Sequence, residues 1–178
     1  MLEYCDMILT GNAIRDEFRT GDIMISPYFD EFVEQNAYCV HLGPTIVEYD
    51  CLSVDARSEN TTIRRDIPEE GLLLYPERFY LGHTQEIIGG KTYASELYAN
   101  LSTALCGMFI QTSAPLGHVG AVISWTLEIV VAHPVVVYSG MPIGKVCFWR
   151  NAGTRTPYEG RYLNSNTVVP SRIGLDQR

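Results

Sequence analysis

The sequence lacks the features that would place it in several familiar classes. Its five cysteines form no C-x-x-C pair and have no zinc-like spacing, and their number is odd. We therefore expect reduced thiols in a cytoplasmic protein, in the host cytoplasm if the source is viral. No apolar run reaches the roughly 18 residues that a membrane-spanning helix needs. The first residues carry acids where a secretory signal has bases.

Basic charge is also scarce. The chain has 13 lysines and arginines against 21 aspartates and glutamates, which gives a formal net charge of −8. A nucleic-acid duplex or an anionic membrane requires a basic face, so neither is expected as a partner. A phosphorylated small molecule stays compatible with this charge, since it needs only a few local donors. With 178 residues and no internal repeat, residues 1–178 are expected to form a single domain.

Glycine and proline divide the sequence into many short segments. Residues 10–21 have a helix signature, with Thr10 as N-cap and Gly21 as the stop. Most other segments are rich in β-branched and aromatic residues, which favours strands. Many short strands at roughly even spacing predict a mainly β fold, a barrel or jelly roll with one or two short helices. Residues 151–178 are polar and are predicted to be a C-terminal arm.

Three segments are harder to interpret. Residues 50–65 are polar and irregular, which is typical of a mobile loop. Residues 67–90 are expected to form two short strands broken by Pro76 and Gly82. Residues 91–107 are ambiguous between strand and helix, because four apolar residues recur every fourth position as on a helix face. This stripe is expected to be core or subunit interface and consists of Tyr93, Leu97, Leu101 and Leu105.

Residues 120–149 form the most apolar part of the chain, with turns expected at residues 132–134 and 139–142. One acid, Glu128, lies within the first apolar run. A carboxylate surrounded by apolar residues costs several kcal/mol unless it is paired, neutralised or open to a cavity. Glu128 is therefore either a functional group or a structural carboxylate bound by backbone N–H groups or an arginine.

Five segments resemble the dCTP deaminase branch of the dUTPase superfamily. They occur in the family order and are ILTGNAIRDEFRTGDIMISP, NAYCVHLG, YLGHTQEI, the stretch at residues 120–148 and GRYLNSNTVVPSRI. The resemblance implies a distorted β-barrel or jelly roll of the dUTPase-like type. It also implies a homotrimer, with active sites between subunits and the C-terminal arm folded over a pyrimidine deoxynucleotide.

The resemblance also implies a chemistry. In the family a glutamate activates water for attack at C4 of cytosine and carries the proton to the departing ammonia, and Glu128 stands at its position. No catalytic zinc takes part, unlike in the zinc deaminases that act on nucleobases. Mg²⁺ accompanies the triphosphate. The resemblance therefore implies hydrolytic deamination of dCTP to dUTP, or of a related nucleotide.

The family's phosphate-binding run departs most from this pattern. The family has arginine–serine–serine and a second arginine shortly before the segment read here as residues 107–109. This chain has Asn100, Leu101, Ser102 and Leu105 there. Both arginines and the first serine are absent, and Leu105 cannot bind phosphate as an arginine does. Ser102 is either the surviving hydroxyl of the motif or a polar helix residue without a role.

Single residues at four other positions also differ from the family pattern. His118 falls near the family aspartate that contacts the deoxyribose, and it either replaces that group or is an ordinary loop residue. Cys39 and His41 stand where the family usually has an aspartate and an arginine. In the arm, Ser165 replaces a glutamine.

The remaining candidate residues are nucleotide-binding positions of the family. Tyr158 and Tyr162 are retained in the arm, and Arg161 replaces a lysine between them. They are expected to stack on a base and hold phosphate, or else to pack the arm on a neighbouring subunit. Gln111 and Ala114 occupy positions that line the base pocket.

Three functions follow from this pattern. The first is a deaminase of dCTP or a related nucleotide, with Glu128 as the proton shuttle. The second is a catalytically inactive trimer that serves as a nucleotide sensor or an assembly subunit, which the missing arginines favour. The third is a dUTP pyrophosphatase, which is less favoured because His118 displaces the aspartate base that this reaction needs.

Overall fold

A computed structural model of the chain describes residues 7–110 and 113–174. Within these ranges the fold is mainly β, with two α-helices, α1 (Gly11–Thr20) and α2 (Leu101–Leu105). The strands are β1 (Ile23–Ser26), β2 (Tyr38–His41), β3 (Thr45–Tyr49), β4 (Thr62–Asp66), β5 (Leu72–Leu74), β6 (Tyr80–Gly90), β7 (Tyr93–Ala99), β8 (Met108–Phe109), β9 (Leu116–Gly117), β10 (Ile123–Val131), β11 (Val135–Val137) and β12 (Pro142–Arg150). Neither helix is long and apolar enough to cross a membrane.

The first helix follows its sequence signature. The Thr10 hydroxyl accepts a hydrogen bond from the Ala13 N–H at 3.4 Å. Gly21 ends the helix in the left-handed region, with φ of 83°, where glycine carries no side-chain penalty. Ile14 is fully buried in the core. The predicted helix is confirmed at both ends.

The strands pair antiparallel in three sheets. The largest has the order β4-β3-β6-β10-β8, with β1 also pairing with β6. The second has the order β2-β12-β7-β9, and the third contains only β11 and β5. The 11-residue strand β6 is central, since it pairs with β1, β3 and β10.

The largest sheet has two different faces. Alternate residues of β10, such as Leu127 and Ile129, are fully buried in the main core. The residues between them point to the opposite face, because side chains alternate along a strand. On this opposite face Val47, Leu81 and Val168 form a separate small cluster. We call it the arm face, because residues of the C-terminal arm cover it.

The expected break at Gly82 was wrong. Strand β6 passes through Gly82 without interruption. A Cβ at this position would lie 2.9 Å from the Ile129 side chain and 3.1 Å from that of Leu42. Glycine is therefore required here by close packing inside a strand rather than by a turn.

Residues 91–107, which the sequence leaves ambiguous, contain a strand followed by a short helix. Residues Tyr93–Ala99 form β7, and only Leu101–Leu105 are helical. Residues four apart share a face in a strand as well as in a helix, so the period of four did not separate the two structures. Leu97 is buried in the core, whereas Leu101 and Leu105 are 72% and 77% exposed in the single chain.

The loop expected at residues 50–65 ends earlier. Thr62–Asp66 form the edge strand β4, paired with β3. All five residues of β4 are exposed, so their sequence lacks the apolar alternation that marks a strand with one buried face.

Candidate active site

A cavity of about 430 Å³ lies between the arm face and the C-terminal arm. Strand β10 contributes Ser124, Thr126 and Glu128, and β6 contributes Leu81. Five predicted site residues line this cavity: Ala114, His118, Glu128, Tyr158 and Tyr162.

Glu128 is the one acid among the described residues that line this cavity. It pairs with Leu81 across the sheet, and it faces away from the core that takes up Leu127 and Ile129. Its side chain is partly exposed. A carboxylate in an apolar run must be paired, neutralised or open to a cavity. For Glu128 the structure shows the opening to a cavity.

The mouth of the cavity is built by a loop and the start of the arm. The rings of His118 and Tyr158 are stacked, with centroids 5.5 Å apart and planes 19° apart. The Tyr158 N–H donates to the Val119 carbonyl at 2.7 Å. Gly120 has φ of 84°, and a Cβ on it would lie 3.3 Å from Pro157. A glycine at this position therefore lets the arm approach the loop closely.

The arm is fastened to the sheet by hydrogen bonds. The Ser124 N–H donates to the Ser165 carbonyl at 2.8 Å. The Val169 N–H donates to the Thr126 hydroxyl at 3.0 Å. Further along, the Ser171 N–H donates to the Tyr49 hydroxyl at 3.0 Å. These bonds hold the arm over Glu128.

Arg161 lies in the arm but is not among the residues that line the cavity. Its Nη1 donates to the Arg172 carbonyl at 2.7 Å, and Arg172 Nη1 donates to the Arg161 carbonyl at 2.5 Å. The Arg172 guanidinium also lies 5.8 Å from the centre of the Tyr162 ring. The two arginines thus close the end of the arm by bonds to each other's backbone.

The substituted phosphate motif does not reach this cavity within one chain. Ser102 is exposed on α2, and none of the α2 residues lines the cavity. Asn100 is buried, and its Nδ2 lies 3.7 Å from Cys39 Sγ. Two departures from the family pattern, at Asn100 and Cys39, therefore contact one another. Gln111 lies outside the described residues.

His41 forms a buried pair that the sequence did not reveal. Its Nδ1 lies 2.7 Å from Glu86 Oε1, and its backbone N–H donates to Glu86 Oε2 at 2.9 Å. Both side chains are less than a tenth exposed. The ring of Phe32 lies against His41, with centroids 4.3 Å apart. Glu86 could not be singled out from the sequence, because its partner is 45 residues away.

A second buried histidine lies beneath the arm. His83 is 6% exposed, and its Nδ1 lies 3.0 Å from both the Thr84 carbonyl and the Ser124 hydroxyl. Burial lowers the pKa of His83 below its ordinary value. Its ring packs against Gly43, since a Cβ there would fall 2.3 Å from the imidazole. His83 thus supports Ser124, which in turn binds the arm.

Within residues 7–110 and 113–174, no group of three or more histidine, cysteine, aspartate or glutamate side chains could hold a metal ion. In the cavity, Glu128 and His118 are the two side chains of these four types.

A family model described as dCTP deaminase-like matches residues 8–151. The chain belongs to the dCTP deaminase-like family. Two similar proteins are both named dCTP deaminase, dUMP-forming. The one from Cytophaga hutchinsonii is 35% identical over 171 residues, covering 96% of this chain and 98% of the relative. The one from Clostridium acetobutylicum is 34% identical with the same coverage.

The fold agrees with a solved member of the dCTP deaminase-like family. The crystal structure of 2′-deoxycytidine 5′-triphosphate deaminase from Agrobacterium tumefaciens matches with a TM-score of 0.65 and 17% identity. The match covers 82% of this chain and 49% of that chain, so this chain spans about half of its length. The mainly β, dUTPase-like fold expected from the resemblance is confirmed.

Proposed function

We propose that this member of the dCTP deaminase-like family deaminates dCTP or a related deoxycytidine nucleotide. The observation that supports it best is Glu128, the one acid among the described residues of a cavity covered by the arm. The names of the relatives agree with this chemistry. Glu128 takes a proton from water, the oxygen attacks C4 of cytosine, and the proton leaves with ammonia. Cytosine and water thus give uracil and ammonia.

The other site residues have binding roles in this proposal. Tyr158, which is stacked on His118 at the mouth, and Tyr162 both line the cavity from the arm and offer aromatic faces to a base. His118 takes the deoxyribose position. Ala114 borders the base. Arg161 holds phosphate once it exchanges the Arg172 carbonyl for the ligand.

We further propose a homotrimer in which α2 of one protomer completes the cavity of the next, so that Ser102 approaches the nucleotide from there. Exposed apolar side chains on α2, β8 and β10 support such contacts, since their burial between protomers is favourable; they are Leu101, Leu105, Phe109 and Val130. Light scattering should give about three times 20.0 kDa. A monomer at the assay concentration would contradict this assembly.

Mg²⁺ has a place in this proposal as a companion of the triphosphate. Mg²⁺ prefers oxygen ligands and often uses substrate phosphates together with one or two carboxylates. Glu128, the one carboxylate on the described wall of the cavity, is assigned to proton transfer, so the phosphate oxygens of the nucleotide would supply the protein-bound ligands of such a metal.

The test is a turnover assay with the purified chain and Mg²⁺. Substrates are dCTP, dCMP, modified deoxycytidine nucleotides and dUTP, with ammonia and nucleotide products measured separately. Ammonia with dUTP indicates deamination alone, and ammonia with dUMP indicates loss of pyrophosphate as well. Hydrolysis of dUTP without any release of ammonia would instead support the pyrophosphatase. No turnover of any substrate would reject all enzymatic proposals.

A second candidate is a trimeric nucleotide sensor or assembly subunit without catalysis. The substitutions at Asn100, Leu101 and Leu105 favour it. The two family arginines are replaced by a buried amide and an exposed leucine, and the first serine is replaced by a second exposed leucine. Calorimetry with dCTP and dUTP separates the cases. Binding without turnover supports a sensor, and absence of binding supports an assembly subunit.

A further inference from the structure

A second groove continues from the mouth of the cavity. It has a volume of about 590 Å³ and shares Leu116, His118 and Tyr158 with the cavity. It continues into a third depression of about 390 Å³, with which it shares Asn151 and Arg155. The groove and the cavity therefore lie next to each other, and both are bordered by the His118–Tyr158 stack.

The lining of this groove differs chemically from that of the cavity. Arg155 lies in both the second groove and the third depression, and Arg150 lies in the latter. The hydroxyl-bearing residues Thr154 and Thr156 flank Arg155. The groove also contains one acid, Glu159, which opposes an anion. In a chain with a net charge of −8, Arg155 is the one arginine or lysine among the described residues that line this groove.

The Arg155 guanidinium retains capacity for a ligand. In the part of the chain that the structure describes, its one hydrogen bond runs from Nη1 to the Thr92 carbonyl at 3.4 Å. The Asn151 amide donates to the same carbonyl at 3.1 Å. A guanidinium carries five N–H donors in a fixed plane that suits phosphate oxygens. Arg150 is already engaged, since its Nη2 lies 3.7 Å from Glu17 Oε1 and it covers the Tyr93 ring.

We propose that Arg155 binds the phosphate groups of the nucleotide, which extend from the cavity past His118 and Tyr158 into this groove. The inference rests on the proposed function and adds where the phosphate chain lies. It places a cation at the substrate in a chain whose phosphate motif lacks both arginines at Asn100 and Leu105.

The test compares Arg155→Gln with two controls in the full chain. Arg155→Gln should raise KM for dCTP at least tenfold with kcat nearly unchanged, raise KM for dCMP less, and leave KM for deoxycytidine unchanged. It should also weaken competitive inhibition by inorganic triphosphate. Arg155→Lys should restore part of the affinity, since it keeps the charge but not the planar fork.

The two control variants distinguish phosphate binding by Arg155 from two other effects, the loss of a hydrogen bond to Thr92 and the loss of one positive charge from the protein. Asn151→Ala removes a tether to Thr92 without removing charge, and it should show no dependence on phosphate number. Arg19→Gln removes an exposed arginine of α1 that is paired with Asp16, and it should leave every KM unchanged.

Two outcomes overturn the inference. One is an Arg155→Gln effect equal for dCTP, dCMP and deoxycytidine, which would show a structural tether. The other is that inorganic triphosphate inhibits Arg155→Gln as strongly as it inhibits the parent chain. In either case deamination of dCTP by the parent chain leaves the proposed function intact, whereas absence of turnover and of nucleotide binding rejects both.

Discussion

Glu128→Gln is expected to lower kcat for deamination by about 10²–10⁴, the usual contribution of general acid–base catalysis. Glutamine has nearly the same shape as glutamate but cannot accept a proton from water at neutral pH. Glu128 is partly exposed on the arm face, outside the main core, so the substitution should not disturb folding. Nucleotide binding should persist, since the aromatic walls of the cavity are unchanged.

The measurement is the rate of ammonia release at saturating nucleotide, together with the nucleotide Kd by calorimetry. Glu70→Gln, an exposed acid in the turn before β5, is the matched control and should retain parental activity. If Glu128→Gln keeps more than half of the parental kcat, Glu128 is not the proton shuttle. A loss of binding equal to the loss of rate would instead make Glu128 a binding group.

Glu86→Ala is expected to reduce the free energy of unfolding by about 3–5 kcal/mol, the range for breaking a buried pair by removing one partner. The carboxylate accepts from the His41 N–H at 2.9 Å and contacts His41 Nδ1 at 2.7 Å. The carboxyl group therefore serves two nitrogens of His41 at once. Removal of the Glu86 carboxyl leaves the His41 N–H and Nδ1 buried without this partner, and it creates a cavity beside them.

Urea unfolding measures this loss, with Glu69→Ala as an exposed control that should change stability by less than about 0.5 kcal/mol. Glu86→Gln retains one carbonyl acceptor and should lie between the parent and Glu86→Ala, which keeps the prediction testable if the alanine variant does not fold. A loss below about 1 kcal/mol for Glu86→Ala would mean that water replaces the carboxylate, and it would contradict a dry pair.

The parts of the fold that were predicted correctly have local causes. The helix at residues 10–21 is fixed by its capping residues and by Ile14 on its inner face. The strands at residues 120–149 are fixed by their composition and by the turns between them. The alternation along β10 also indicates Thr126 as a cavity residue. Thr126 lies two positions before Glu128, so both side chains are on the same face of the strand.

The features that could not be predicted depend on distant neighbours. From the sequence alone Gly82 predicts the end of a strand. Its packing against Ile129 and Leu42, which explains a glycine inside the strand, is visible only in the structure. The pairing of His41 with Glu86 needs the arrangement of β2 beside β6. Cys39 and Asn100 appear in the sequence as two unrelated departures, 61 residues apart, yet they form one contact. In each case the explanation lies in tertiary packing rather than in local sequence preference.

The predicted site residues also fall into two groups, those that lie at the cavity and those that lie elsewhere. Ala114, His118, Glu128, Tyr158 and Tyr162 come together at one cavity although they belong to a loop, a strand and the arm. Ser102 and Arg161 lie elsewhere in the single chain. The family resemblance predicted the five cavity residues because the chain keeps the family's β framework. The position of the phosphate groups could not be predicted in the same way, because it depends on side chains that this chain has replaced.

The reciprocal bonds of Arg161 and Arg172 affect how the arm responds to its surroundings. Each bond joins a guanidinium to a neutral backbone carbonyl. A guanidinium binds an anionic oxygen more strongly than a neutral carbonyl oxygen, because the opposite charges attract each other. An anionic ligand is therefore expected to compete with these two carbonyls for the guanidinium groups and to loosen the end of the arm, while the bonds of the arm to Ser124, Thr126 and Tyr49 stay in place.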